Sequence, residues 1–454
     1  MSVFYALIGV LFLLAFRKYP GQGHVYVLFT VISNSLLYFG FRRNAIFFDT
    51  FIGIFFWLGF WLKLTFRVAL MDGQFHEPVG SFDGSGAAFD RALLVTSCGF
   101  LGLLAISYIR GKYVFTYPGE LNEAVQEGLM SGYKNHRRAV LIGCVILFVT
   151  VAVTNLYFGI YQRGSIPRTI LPYGFEGIYS WLLQFGLASI SAVILHCEFA
   201  RTKKTSYPVV MLSLFEEFSS NVSLLSRGMI LNTSALGYGV MRSLKAYSIE
   251  SSVRFLAVSL LMFVLLLGCS VILVEYLRSS DPGTNLSGMS RRTKMLFLDR
   301  WVGMEPVMAI SSYPKQGWDL WTEAWKETYS LNKLSFYDTN LITSPYTNTD
   351  LTRHHYISLP GILAFCFYPG SFIFLFFCMF VVGAIGAAIE ISVFKLGGAN
   401  IILCALLAQV VAHRFAHFGY VPSRSYLLFG ALYLNLCMIY FSNKILLYWN
   451  KCKA

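Results

Sequence analysis

Apolar runs of membrane-crossing length dominate the chain. They fall near residues 2–16, 24–41, 45–66, 91–109, 138–161, 174–198, 207–226, 252–277, 371–391, 400–418 and 425–447. A helix needs about 17–25 apolar residues to cross a hydrocarbon core. Backbone exposed to lipid must satisfy its own hydrogen bonds, so each run predicts a helix. The segment 228–241, GMILNTSALGYGVM, is apolar but short and carries glycines. It fits the returning half of a hairpin or a short bent helix. The polar stretch 278–357 interrupts the pattern. The expectation is therefore an all-α, polytopic integral membrane protein of about 11–12 transmembrane helices. Residues 1–277 form its N-terminal helices, 278–357 a long extracytoplasmic loop, and 358–454 its C-terminal helices. No soluble domain separates from this single membrane domain.

Composition agrees. Of 454 residues, 56% are hydrophobic and only 13% charged. Soluble domains carry about 25% charged residues. The net charge of +13 does not point to nucleic acid, because the basic residues sit in short clusters between apolar runs, as the positive-inside rule expects. The nine cysteines form no paired motif and none lies in 278–357, which suits buried thiols rather than a disulfide framework. The N-terminal MSVFYALIGVLFLLAF lacks a basic leader and a clear cleavage site, so it predicts a retained helix.

Lys and Arg set the orientation. Arg42–Arg43, Arg110 and Lys112 with Lys134, Arg137 and Arg138, Arg201 with Lys203 and Lys204, Arg242 with Lys245 and Arg254, Lys395 and the tail form one set. Placing that set in the cytoplasm puts both termini there and 278–357 outside. Long ordered loops are usually functional. Within this one, Trp318, Trp321, Trp325 and Tyr329 recur at helical spacing, with Asp319, Glu323 and Lys326 opposite. That is an amphipathic helix, lying in the outer interface or packed on the bundle.

Candidate chemistry gathers toward the outer side. Arg227, in LLSRGMILN, lies about 19 residues, or roughly 28 Å of helix, beyond Pro208. An arginine there either holds phosphate with its planar fork or snorkels at a helix end. Glu216 and Glu217, on the same run, predict pairing with a cation or a helix dipole. Asp299, Arg300 and Trp301 set an acid, a base and a sugar-stacking ring side by side, with Glu305 nearby. Such loop charges are either solvated and paired or poised for substrate. Arg353, His354 and His355 precede two Pro-Gly steps, at 360–361 and 369–370. These steps predict a short dipping helix followed by a full span. The two histidines lack further ligands nearby for a metal, and suit proton transfer better. His413, Arg414 and His417 close the run from 400. In this scheme Arg227, Arg300, Arg353 and Arg414 face one compartment and make a cationic cavity suited to a pyrophosphate leaving group.

A run ending in LSRG, a loop containing DRWVGMEPVMAISSYP, and then LPGILAFCFYPGSFIFLFFCMFVVG together resemble the Wzy-type O-antigen polymerases, over residues 205–420. The resemblance implies a GT-C-like glycosyltransferase of the bacterial inner (cytoplasmic) membrane, with no cofactor and no metal. Its substrate would be an undecaprenyl-pyrophosphate-linked oligosaccharide, with membrane lipid and a chain-length regulator as partners and no nucleic acid. The growing glycan would pass from undecaprenyl pyrophosphate to a new lipid-linked repeat unit on the periplasmic face. The family holds pyrophosphate with periplasmic arginines, which Arg227 and Arg300 match best and Arg414 less closely. The resemblance does not fix the base for the acceptor hydroxyl; the residues themselves favour His354 or His355, then Asp299 or Glu305. An O-antigen ligase shares this cavity and donor. A lipid-linked oligosaccharide flippase would spread its charges through several helices.

Overall fold

The computed structural model describes all residues except 1, 76, 121–126, 164–165, 227, 280–299, 329, 331–332, 343–356 and 454, and leaves undescribed the side chains at 2–5, 127, 279, 451 and 453. The described residues form helices and no strands. Among the described residues, eight helices are long and apolar enough to cross a membrane, as expected of a polytopic membrane protein; the apolar runs near 2–16, 207–226 and 400–418 form helices of only 17, 17 and 16 residues. The chain divides into two compact units, each assembled from segments distant in sequence.

The first unit comprises residues 1–116, 287–388 and 411–426. It begins with α1 (Ser2–Lys18), α2 (Gly23–Phe41), α3 (Phe47–Leu70) and α4 (Gly86–Tyr113). α2 packs on both α3 and α4. Thr50 Oγ1 donates to the Gly40 carbonyl at 2.6 Å, joining α2 to α3. Arg110, near the end of α4, is buried and pairs with Asp49 at 2.6 Å. Three short helices follow: α5 (Met304–Ser311), α6 (Trp318–Trp325) and α7 (Phe336–Asn340). Every residue of α5 is buried, in a stretch where sequence had predicted only a polar outer loop.

The Pro-Gly steps act as anticipated. Pro360 leads into the six-residue buried helix α8 (Gly361–Cys366), and α9 (Phe372–Leu396) follows as a full-length span. Gly361 has φ +72°, a left-handed conformation that glycine adopts without a Cβ penalty. Its N–H reaches the Phe418 carbonyl at 2.8 Å. That ties α8 to the chain just beyond α10 (Ile401–Ala416).

The second unit comprises residues 117–286, 389–410 and 427–454. Its long helices are α11 (Glu127–Phe158), α12 (Pro172–Thr202), α13 (Val253–Ser279) and α14 (Ser425–Lys453). At their centre is a shorter helix, α15 (Tyr207–Ser223), which packs against α11, α12 and α13. The glycine-bearing segment after it forms α16 (Met229–Ala246), 18 residues that return against α15. A glycine on α16 also allows close approach to α10. A Cβ at Gly239 would lie 2.9 Å from Ile402 Cα and from Ala405 Cβ, on α10.

Candidate functional site

Within the first unit, α3 changes from α to π geometry at Trp57–Leu62. Such bulges frequently mark functional sites. Two consequences follow. At Gly59 the backbone is bare enough for residue 303 to lie against it, and a Cβ on Gly303 would overlap the Gly59 carbonyl. One residue past the bulge, Lys63 points inward. Its Nζ meets Glu305 Oε1 at 2.6 Å and donates to the Trp301 carbonyl at 3.1 Å. Both charged side chains are at most 2% exposed. The pair is a contact of charge rather than an aligned hydrogen bond, since neither Glu305 oxygen has an aligned donor among the described residues.

This ion pair pins the segment that carries Arg300 and Trp301. The buried Trp301 ring stacks on Phe55 at 5.6 Å and 24°. Phe55 in turn presents its face or edge to His413 at 5.8 Å and 83°. His413 stacks on His417 at 4.0 Å, one helical turn away. Arg414, between them in sequence and half-buried, donates from Nε and Nη2 to Ser425 Oγ at 3.1 and 2.9 Å. The result is a continuous ladder of Trp301, Phe55, His413 and His417. In sequence, Arg300 adjoins Trp301 and Arg414 adjoins His413.

A third element closes over the same region. On α6, Trp318 and Trp321 pack on Phe374. Trp321 and Trp325 contact Phe365 of α8, and Trp325 also contacts Phe418. The aromatic stripe therefore packs on the helices, while Trp318 stays 55% exposed. Tyr329 lies outside the described residues. Just after α6, Glu327 accepts from the N–H groups of Phe336 at 2.6 Å and Val421 at 3.2 Å. Burial raises its carboxyl above the ordinary value, as does the neighbouring charge of Asp338, against the lowering effect of the two N–H donors. Asp338 accepts from Ser335 Oγ at 2.6 Å and from the Ser358 N–H at 3.1 Å. Burial, then the nearby charges of Glu305, Asp338 and Glu77, holds the Tyr337 phenol well above its usual range.

Of the residues picked out from sequence, Arg300, Glu305 and Arg414 are in this first unit. Asp299, Arg353, His354, His355 and Arg227 lie outside the described residues. The segment leading to Arg227 is nonetheless well anchored within the second unit. Arg278 donates to the Leu225 carbonyl at 2.6 Å, and the Arg163 N–H to the Leu224 carbonyl at 3.0 Å. Glu216 and Glu217 are both 1% exposed in α15. Their described partners are uncharged: Ser220 Oγ at 2.8 Å and Asn221 Nδ2 at 3.4 Å. The cation anticipated for them is not among the described ion pairs.

Lys63, Phe55 and Glu327 were not singled out from sequence. Lys63 did carry a signal, being an ionisable residue inside an apolar run. Phe55 and Glu327 carried none, since their partners are far away in the chain. The candidate arrangement can bind an anion through arginines and relay a proton through imidazole, while the Trp301 and Phe55 rings are taken up by packing. No group of three or more potential metal ligands occurs among the described residues. Comparison with protein-family models, curated proteins and solved structures returned no match for this chain.

Proposed function

We propose that the chain is a metal-independent membrane glycosyltransferase of GT-C-like architecture that polymerises lipid-linked oligosaccharide repeat units. Its place is the bacterial inner membrane, with the site on the periplasmic face and both termini in the cytoplasm. The observation that carries this reading is the buried Lys63–Glu305 pair. It fixes Arg300–Trp301 beside the aromatic ladder that ends at His413 and His417. A pyrophosphate needs fixed cationic donors. Arg300 supplies one, and the packing of Trp301 on Phe55 holds its segment in place.

In the proposed reaction an acceptor hydroxyl attacks the anomeric carbon of the growing glycan. The bond to the pyrophosphate oxygen breaks, and its electron pair leaves with undecaprenyl pyrophosphate. Arg300 and Arg414, with Arg353, stabilise the charge that grows there. Preorganised donors act most strongly where charge develops. His354, His355 or Asp299 takes the hydroxyl proton. Glu305, enclosed with Lys63, serves in this reading as the anchor of Trp301.

The test is genetic and chemical. Deleting the gene in its host should leave surface glycan with a single repeat and no ladder. Restoring it as Arg300→Ala or Arg414→Ala should give membrane-inserted protein with elongation reduced about 10²–10³-fold, the scale of one lost transition-state donor. A normal ladder from both variants would sink the pyrophosphate role. Loss of every repeat-bearing species on deletion would point to export or ligation instead.

A further inference from the structure

In the second unit, α11, α12 and α14 leave an open groove of about 500 Å³ between them. Its walls are largely apolar, with Val140, Ile190, Val193, Ile194, Met438 and Leu446 prominent. Local backbone features make the room. α12 widens to π geometry at Leu182–Gly186. α11 departs from helical geometry at His136, with φ −124° and ψ 27°. Gly132 faces Leu446, where an added Cβ would come within 3.3 Å. Trp181 also lines the groove, and its buried Nε1 finds no acceptor among the described residues.

One end of the groove is strongly basic. Tyr133, His136 and Cys197 line that end. There Glu198 accepts from Arg137 at 3.0 Å and pairs with Arg201 at 3.4 Å. Lys134, Arg138, Lys203 and Lys204 are exposed around it. Six cations thus meet one carboxylate across residues 133–138 and 197–204.

Size restricts the occupant. Taking the ~30 Å³ share of a water as a unit, the groove holds on the order of fifteen methylene-sized groups. A helix, about 10 Å across with its side chains, needs far more room. One hydrocarbon chain fits. The basic end selects a negative headgroup, since juxtamembrane Lys and Arg attract anionic lipid. We propose that this groove binds an anionic phospholipid, with one acyl chain along α12 and its phosphate at Arg201 and Lys134. This is independent of the glycosyltransferase reading.

The test uses the full chain purified in detergent, with lipid retention followed by native mass spectrometry. Phosphatidylglycerol and phosphatidylcholine of identical acyl chains are titrated in turn. Phosphatidylglycerol should bind about thirtyfold more tightly, the order expected of two cations at an anionic headgroup. Val193→Trp should abolish its retention. The doubly substituted Lys134→Gln/Arg201→Gln protein should reduce it to the level of phosphatidylcholine. Both of those side chains are exposed, so this variant decides the matter even if the tryptophan variant fails to fold. Equal retention of the two lipids in the unaltered protein would overturn the proposal. So would unchanged binding in the double variant. Displacement of phosphatidylglycerol by a much tighter polyprenyl phosphate would overturn the assigned occupant.

Discussion

Replacing Glu305 by Gln leaves the Lys63 ammonium buried with only the Trp301 carbonyl and an amide to face. Replacing Lys63 by Met leaves a buried carboxylate without its counter-charge. The two side chains are 2% and 1% exposed and 2.6 Å apart, so water cannot take the place of the missing partner. Breaking such a pair costs about 3–5 kcal/mol, whereas removing both charges is often close to neutral. Each single variant should therefore lose about 3–5 kcal/mol. The double variant Lys63→Met/Glu305→Gln should lose clearly less than their sum, with non-additivity of at least about 3 kcal/mol. Unfolding in mixed micelles titrated with denaturing detergent, followed by tryptophan fluorescence, measures all four proteins. With eight tryptophans in the chain, the emission follows global unfolding. If the singles fall within about 0.5 kcal/mol of the unaltered protein, or if their losses simply add, the pair does not anchor this segment and the argument for the site fails.

The close approach at Gly59 makes Gly303→Ala a severe change. Its Cβ would overlap the Gly59 carbonyl, and the loss should exceed the roughly 1–3 kcal/mol of ordinary overpacking, read as a sharp fall in folded, detergent-extractable protein. Glu327 introduces a pH dependence with a definite sign. Because its folded-state value is raised, its contribution is fully favourable below the ordinary carboxylate range and is lost as pH rises from there through the folded value. Glu327→Gln should flatten the stability profile across that window. A profile identical to that of the parent would refute the assignment. Trp321→Ala removes packing against Trp325, Phe365 and Phe374. It should cost about 3 kcal/mol, toward the low end for a large aromatic because the ring is only partly buried, as a lowered unfolding midpoint shows.

Much of the architecture follows from local pattern. The long apolar runs became long helices because a backbone in hydrocarbon has no other way to satisfy its hydrogen bonds. Pro360–Gly361 broke the pattern where α8 begins, and Pro369–Gly370 broke it between α8 and α9. The spacing of Trp318, Trp321 and Trp325 foretold α6, since residues three and four apart share a helix face. The candidate site was legible only in part. Arg300 and Arg414 stood out as charges beside apolar runs, but nothing nearby in sequence revealed what holds them.

What the sequence by itself determined, then, was the all-helical character and the approximate position of the long apolar elements, each a matter of neighbouring residues. Only the tertiary structure decided which charges meet. Lys63 and Trp301 are 238 positions apart, and their contact depends on a π turn in one helix and a bare glycine backbone in another segment. It likewise decided that Met304–Ser311 is buried although its neighbours read as a polar loop. Hydropathy records how each residue partitions between water and lipid. It does not record that a buried charge becomes tolerable when a distant segment brings its partner within 3 Å.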